Sequence, residues 1–590
     1  MVYKNYYTIA LSNFYNLLFF LYLMKEEVAE ILFNALKEMK VKIPKDEILK
    51  SVEVPPTSDL GDYSFPCFSV AKTLKYSPHE LALELKGKIG NSSKQFEDIQ
   101  VAGPYVNFFI NSKKFSKNLL AEILKKKENF GKNNLAKSKR VMVEFPSPNT
   151  NKPLHVGHLR NLSIGESVSR IIEFSGGKVV RANLNNDKGV HICKSLLAYK
   201  KFGKGKKPTG KLKSDHLVGE FYVMFNKKEN KNKELISEAH EMLRKWEKGD
   251  RETIELWKKM RQWSLDGFNE TYKKFGISFD KEYFESEIYT KGREIILEGV
   301  KKKIFEQEKD GSVFLNLETQ GLGKKYLLRA DGTTLYMTQD IYLAKKKFDD
   351  FKLTDSIYVV GQEQEYHFNV LFNVLEKLGF SKGSLKHLSH GMVNLPEGKM
   401  KSREGKVVDA DDLIELVQNL AKKELSSREK LSKKELEERS LKITLAAIKY
   451  LLLKIDRKKD TIFNPKKSIS FEGDTGPYLL YTYARANSII QKINNEKTSG
   501  EVSDLEKPEK ELIKKLFEFP DAVESSYKNL NPSLIANYSF TLAKTFTEFY
   551  HNCPVIDSKK ENFRIQLVKS FLHVMKNSLN LLGIEVLERM

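Results

Sequence analysis

Apolar residues recur at helical spacing directly after Met24, where MKEEVAEILFNALKEM reads as an amphipathic helix. This helix opens a first unit, 24–135. A proline-rich segment, VEVPPTSDLGDYSF, follows it, then a helix with Ser77-Pro78 at its start, then the strand-like run VAGPYVNFFI. The charged stretch KKKENFGKNNLAKSKR reads as a linker. The pattern then changes to RVMVEF, a short apolar run rich in β-branched residues and so a buried parallel strand. After the loop PSPNTNKPL, HVGHLRNLSIGESVSRIIEF carries Leu159, Ile164, Val168 and Ile171 at helical spacing, and KVVRANL supplies a second strand. Strand, loop, helix and strand in that order open a doubly wound, Rossmann-type unit, placed at 138–425.

From about 195 to 325 the pattern is charged and helical, with Trp246, Trp257 and Trp263 inside it, and reads as an insertion into that unit. Alternation resumes at DSIYVVG. AKKELSSREKLSKKELEERS reads as a solvated linker or helix, and 435–590 as helix throughout, with stripes such as ITLAAIKYLLL. The expected fold is a multidomain α/β + α protein: an α+β amino-terminal domain, a Rossmann catalytic domain with an insertion, and an all-α carboxy-terminal domain.

One segment, together with the charge and the cysteines, modifies this picture. Tyr6 to Met24 is a largely apolar run of borderline membrane length, interrupted by Ser12, Asn13 and Asn16 and followed by no small-residue cleavage site. Met24 is therefore expected to be the natural start, with 1–23 an extension outside the fold; a membrane anchor is the competing reading. The chain also has a formal net charge of +22, which fits a polyanionic partner and equally fits a lysine-rich surface. Cys67, Cys193 and Cys553 form no CxxC pair, which argues against a disulfide framework and a cysteine-built zinc site and suits a reduced, cytoplasmic setting. No other metal site is expected, and no GxGxxG fingerprint is present, which argues against a dehydrogenase.

The sharpest chemical signal is His155-Val156-Gly157-His158 at a strand–loop–helix junction. A helix amino terminus offers free N–H groups and a positive dipole end, both suited to phosphate. Gly157 permits close approach of a nucleotide, and two imidazoles there can donate to phosphate oxygens. Taken alone, the two histidines read as well as a chance or structural pair. The second signal is Lys399-Met400-Lys401-Ser402-Arg403-Glu404-Gly405, a short basic loop able to stabilise a leaving pyrophosphate, or on its own a solvated lysine-rich loop.

Together the two elements resemble the HIGH and KMSKS signatures of class I aminoacyl-tRNA synthetases. The blocks SPNTNKPLHVGHLRN, DGTTLYMTQD, YVVGQEQEYH, KMKSREG, GPYLLYTYAR and the terminal LERM are similar, in that order, to those of arginyl-tRNA synthetases. The resemblance implies ATP-dependent attachment of L-arginine to tRNA through arginyl-adenylate, with Mg²⁺ accompanying ATP. It implies catalytic roles for His155, His158, Lys152 and Lys399, and ATP contacts at Gly157, Met392, Val393, Lys399, Met400, Lys401, Ser402 and Arg403. By the same resemblance Asp340 and Glu285 bind the guanidinium, Tyr336 and Gln364 line its pocket, and Asn149 and His155 hold the α-amino and carboxylate end. Carboxylates in fork geometry suit a guanidinium, and Tyr336 and Asp340, four apart on a helix, share a face. Without the resemblance, Asp340 reads as an exposed helix acid beside Lys345, Lys346 and Lys347.

For tRNA, the resemblance implies contacts to the D-loop from Tyr105 and Asn107, alternate residues of one strand, and to the anticodon from Tyr478, Arg485 and Met590. The competing readings are a half-buried strand aromatic for Tyr105 and helix packing for Tyr478, Tyr481 and Tyr483. One departure is Ser402, which stands where the class signature has lysine; many arginyl enzymes share that gap and carry a lysine just before the first motif, where Lys152 stands. Rival readings are a class I synthetase for another amino acid and a non-catalytic RNA-binding paralogue. No membrane partner is expected, and a monomer is the working expectation.

Overall fold

The computed structural model describes residues 18–90, 96–394, 408–493 and 504–590. The basic loop Lys399 to Gly405, and with it Lys399, Met400, Lys401, Ser402 and Arg403, lies outside the described residues, as does most of the 1–23 extension. The described chain forms two compact units.

The first comprises Met1–Gly131, Ala486–Asp521 and Lys544–Val574. Its sheet is antiparallel, with β1 (Tyr63–Pro66), β2 (Phe96–Ala102) and β3 (Tyr105–Ile110) in the order β1-β3-β2. The run VAGPYVNFFI, expected as one strand, is therefore a hairpin turning at Gly103, whose positive φ of 56° suits a residue without a Cβ, with Ala102 opposite Tyr105. Helix Pro78–Ile89 begins as the Ser77-Pro78 signal indicates. The Ser77 hydroxyl accepts from the Glu80 N–H and the Glu80 carboxylate accepts from the Ser77 N–H, both at 3.2 Å. The first helix, described over Leu18–Glu38, already runs ahead of the expected Met24, and residues 18–23 include no glycine or proline to interrupt it. From Val28 onward its buried face, with Leu32 and Leu36, packs in one core with Leu81, Leu85, Val106 and Phe108.

The second unit comprises Lys132–Arg485, Ala522–Ala543 and Met575–Met590. Its centre is a five-stranded parallel sheet of β4 (Arg140–Glu144), β5 (Lys178–Asn185), β6 (Lys281–Phe284), β10 (Asp355–Gly361) and β11 (Leu385–His390), ordered β11-β10-β4-β5-β6. Val141, Met142 and Val143 are buried, as befits a central parallel strand covered on both faces. The chain moves outward from β4 to β6 and then returns to the other side of β4. The order reverses between β4 and β10, and ligands of such sheets bind in that crevice, beyond the strand carboxyl ends.

The expected helical insertion holds only in part. Helices Val190–Phe202, Ser214–Glu229, Glu234–Glu247 and Arg251–Phe275 share a core in which Trp246 and Trp257 meet edge-on at 5.2 Å. The chain then rejoins the parallel sheet at β6, and β7 (Glu306–Gln307), β8 (Val313–Leu317) and β9 (Gly323–Leu328) make a small antiparallel sheet. These strands are two to six residues long and set among lysines and glutamates, so their period-2 signal is lost in a charged window. Beyond β11, the two-residue β12 (Val393–Asn394) pairs in parallel with β13 (Thr461–Ile462), and the remaining described elements are helices. No helix among the described residues is long and apolar enough to cross a membrane.

Candidate active site

The crevice holds a cavity of about 670 Å³. The segment after β4 contributes Asn149, Lys152, His155, Gly157 and His158; the residues after β10 contribute Gln364 and His367; His390 ends β11, and Met392 and Val393 follow it. Helix Val156–Phe174 starts at this spot, with His155 as its extended N-cap residue. The His155 N–H donates to Nδ1 of His158 at 3.0 Å, and the two rings stack with centroids 3.8 Å apart. Because Nδ1 of His158 accepts, its ring proton sits on Nε2. Burial, reinforced by the neighbouring charge of Lys152, pulls His155 down to about 4, and burial takes His158 well below the usual imidazole range. Both rings are therefore neutral at pH 7. Burial also draws the Lys152 ammonium below its ordinary value. A Cβ on Gly157 would stand 3.0 Å from the His155 ring, so the glycine allows that ring its place.

A buried ion pair forms part of the cavity wall. Lys347, on helix Tyr336–Phe351, meets Glu144 at the end of β4, and its ammonium lies 4.5 Å from the centre of the Tyr358 ring. Lys347 is fully buried, and Asp340 beside it is half-buried rather than the exposed helix acid of the reading made without the resemblance. Asp340 binds His367 Nε2 at 2.7 Å, which raises the imidazole pKa. Burial, with the carboxylates of Asp187 and Asp340 acting in the same direction, pushes Glu285 up to about 7. Asp340 and Gln364 line the cavity; Glu285 does not, and Tyr336 stands 74% exposed at the start of its helix.

Arg160, two residues beyond the HVGH block, escaped the sequence reading. It is fully buried, and its guanidinium donates to the carbonyls of Gly391 (2.9 Å), Met392 (3.1 Å), Arg457 (3.2 Å) and Lys459 (2.7 Å). The Asp460 carboxylate accepts from the Met392 N–H at 2.8 Å. The Gly391–Met392 backbone is thus tied to the helix that carries His158.

Of the residues expected at tRNA, Tyr105 is half-buried and edge-on to Phe68 at 5.7 Å. Asn107 is buried, and its carbonyl oxygen accepts from the Ser64 hydroxyl at 2.6 Å. Tyr478 is half-buried against Phe540 at 6.0 Å, Arg485 donates to the Tyr481 hydroxyl at 2.7 Å, and Met590 is half-buried. Cys67, Cys193 and Cys553 are free and buried.

A doubly wound sheet with paired histidines at the amino end of its first helix, above a switch-point cavity, fits the catalytic domain of a class I aminoacyl-tRNA synthetase, and the comparisons with known proteins establish that class. Residues 119–465 match the family model of the class I (R) tRNA synthetase catalytic domain, 479–590 that of the DALR anticodon binding domain, and 26–110 that of the arginyl-tRNA synthetase amino-terminal domain. The arginine–tRNA ligase of Treponema denticola is 45% identical over 95% of this chain and 98% of its own, and that of Borrelia hermsii 43% identical over 96% and 99%. The solved Thermus thermophilus arginyl-tRNA synthetase is 25% identical with a TM-score of 0.78, covering 96% of this chain and all of the other. The chain belongs to the arginyl-tRNA synthetase family.

Proposed function

We propose that this member of the family, which attaches arginine to tRNA, forms arginyl-adenylate in the switch-point cavity, with His155, His158 and Lys152 meeting the phosphates of ATP. The observation that carries this reading is the stacked pair of neutral imidazoles at a helix amino terminus, with a half-buried ammonium lining the same cavity. ATP lies with its base toward Met392 and Val393 and its phosphates toward the helix start. The arginine carboxylate attacks the α-phosphate in line, and pyrophosphate leaves. The terminal ribose hydroxyl of tRNA then takes the arginyl group. No bond to the enzyme forms, so the protein acts by positioning and by meeting charge as it develops.

Neutral imidazoles donate hydrogen bonds without adding charge. The positive charge comes from Lys152, from Lys399, Lys401 and Arg403 of the basic loop, and from Mg²⁺ arriving with ATP as part of the substrate. At the arginine end, Asn149 and His155 hold the α-amino and carboxylate groups. Asp340 and Glu285 face the guanidinium, with Gln364 and Tyr336 around it. Tyr105, Asn107, Tyr478, Arg485 and Met590 serve tRNA, with the Asn107 side chain held on its strand by the Ser64 hydroxyl.

Lys152→Ala is expected to lower single-turnover adenylate formation, with saturating tRNA, by about two to three powers of ten, the size of one lost preorganised electrostatic contact. Tyr105→Ala is expected to leave that rate intact and raise the concentration of tRNA needed. Adenylate formed at the wild-type rate by Lys152→Ala contradicts the assignment.

A further inference from the structure

Behind His155 lies a cluster of ionic side chains that the adenylation scheme does not use. It joins the insertion to the start of helix Ala410–Arg428. Lys213, just ahead of helix Ser214–Glu229, places its ammonium 2.6 Å from Asp411 Oδ2, 2.6 Å from the Thr271 hydroxyl and 3.3 Å from Asp215 Oδ2. His216 Nε2 stands 3.4 Å from Asp409 Oδ2 and 3.5 Å from Asp411 Oδ2. Asp215 is fully buried, against Gly267 of helix Arg251–Phe275, where a Cβ would come within 2.3 Å of the carboxyl carbon. Two cations thus face three carboxylates. Burial disfavours the His216 charge, but Asp409 and Asp411 outweigh it and raise the imidazole to about 10, so His216 is a cation at neutral pH. The ammonium of Lys213 already sits among the carboxylates, which gives the cluster a fixed internal cation.

Asp409 connects this cluster to the active site. Its Oδ1 caps helix Ala410–Arg428 by accepting from the Asp411 and Asp412 N–H groups, at 2.8 and 3.2 Å. Its Oδ2 faces His216. Its backbone forms an antiparallel bridge with His155: the Val156 N–H donates to the Val408 carbonyl at 3.1 Å and the Ala410 N–H to the Leu154 carbonyl at 3.0 Å. Movement of the helix start therefore moves the backbone that sets the His155 ring.

We propose that Lys213 and His216 are positioning residues for adenylation: by holding Asp411 and Asp409 they fix the start of helix Ala410–Arg428 and, through the backbone bridge, the placement of His155. The inference rests on His155 meeting ATP. It explains why an insertion remote from the chemistry carries a lysine and a histidine turned toward the catalytic domain. A small displacement of a reacting group can lower a rate by about 100-fold.

The test is arginine-dependent pyrophosphate exchange with tRNA present, together with the thermal midpoint, for His216→Gln, Lys213→Met, Lys213→Arg and His155→Ala. His216→Gln and Lys213→Met are expected to lower kcat by about 10- to 100-fold with the KM for arginine changed less than about twofold, while Lys213→Arg recovers most of the rate. His155→Ala serves as the reference. If it alone retains full activity, the reading of the site fails. If it is impaired while folded His216→Gln turns over at the wild-type rate, the positioning role fails. The role also fails if Lys213→Arg is as slow as Lys213→Met, or if the variants raise the arginine KM with kcat intact. Should Lys213→Met not fold, His216→Gln and Lys213→Arg decide the matter.

Discussion

At the residue scale, Glu285 gives the sharpest test of the proposed guanidinium site. An acid raised to about 7 by burial and two neighbouring carboxylates holds its proton near neutrality in the free enzyme. Its folded value lies above its unfolded one, so its contribution to stability is present below pH 4.5 and is lost as pH rises through about 7. A guanidinium arriving beside it favours the carboxylate and expels the proton. Arginine binding is therefore expected to release protons near pH 7 and to tighten from pH 6 to pH 8. Titration calorimetry in two buffers of different ionisation enthalpy measures the release, and Glu285→Gln should abolish it. Binding with no proton exchange, or binding that weakens with rising pH, removes Glu285 from the guanidinium site. Asp340 is the poorer probe, since His367 already holds it at 2.7 Å.

At the scale of elements, Arg160 joins three pieces of backbone that no local pattern connects. A buried guanidinium stripped of its carbonyl partners, or carbonyls stripped of their donor, is costly in a low-dielectric interior. Arg160→Lys keeps the charge and loses the fork. It is expected to raise the KM for ATP, through the Gly391–Met392 backbone, well above any change in the KM for arginine. Steady-state exchange kinetics decide between this and equal effects on both substrates, which would reduce Arg160 to general stability. The same scale shows what the sequence disclosed. The β4–helix–β5 opening, the Ser77 cap and the insertion helices rest on local periodicity and end signals, and these were legible. Arg160 was not, because its acceptors lie at residues 391, 392, 457 and 459. Glu144 gave a partial signal: an acid closing a buried strand requires a partner, but nothing local names Lys347, 203 positions away. The hairpin at Gly103 was signalled by Gly103-Pro104, a turn pair set inside the apolar run, whereas β7 to β9 were hidden by their charged surroundings.

At the scale of the molecule, the family blocks carried the substrate and the order of domains, while periodicity alone carried only the class of fold. The division into domains is open to a direct check at its amino end. Among the residues whose burial is described, the buried positions of the first helix run from Val28 onward, and a chain beginning at Met24 retains each of them. Such a chain is expected to keep the thermal midpoint and aminoacylation rate of the full chain; a large loss of either gives 1–23 a place in the fold or the function. The central claim is a cavity that couples arginine to ATP, and the resemblance to arginyl-tRNA synthetases implies in addition that it does so only with tRNA bound; both are met most directly by pyrophosphate exchange with each of the twenty amino acids, with and without tRNA. The account requires exchange with arginine alone, and only when tRNA is present. Comparable exchange with any other amino acid contradicts the assignment of the pocket, and arginine exchange without tRNA contradicts the dependence on tRNA.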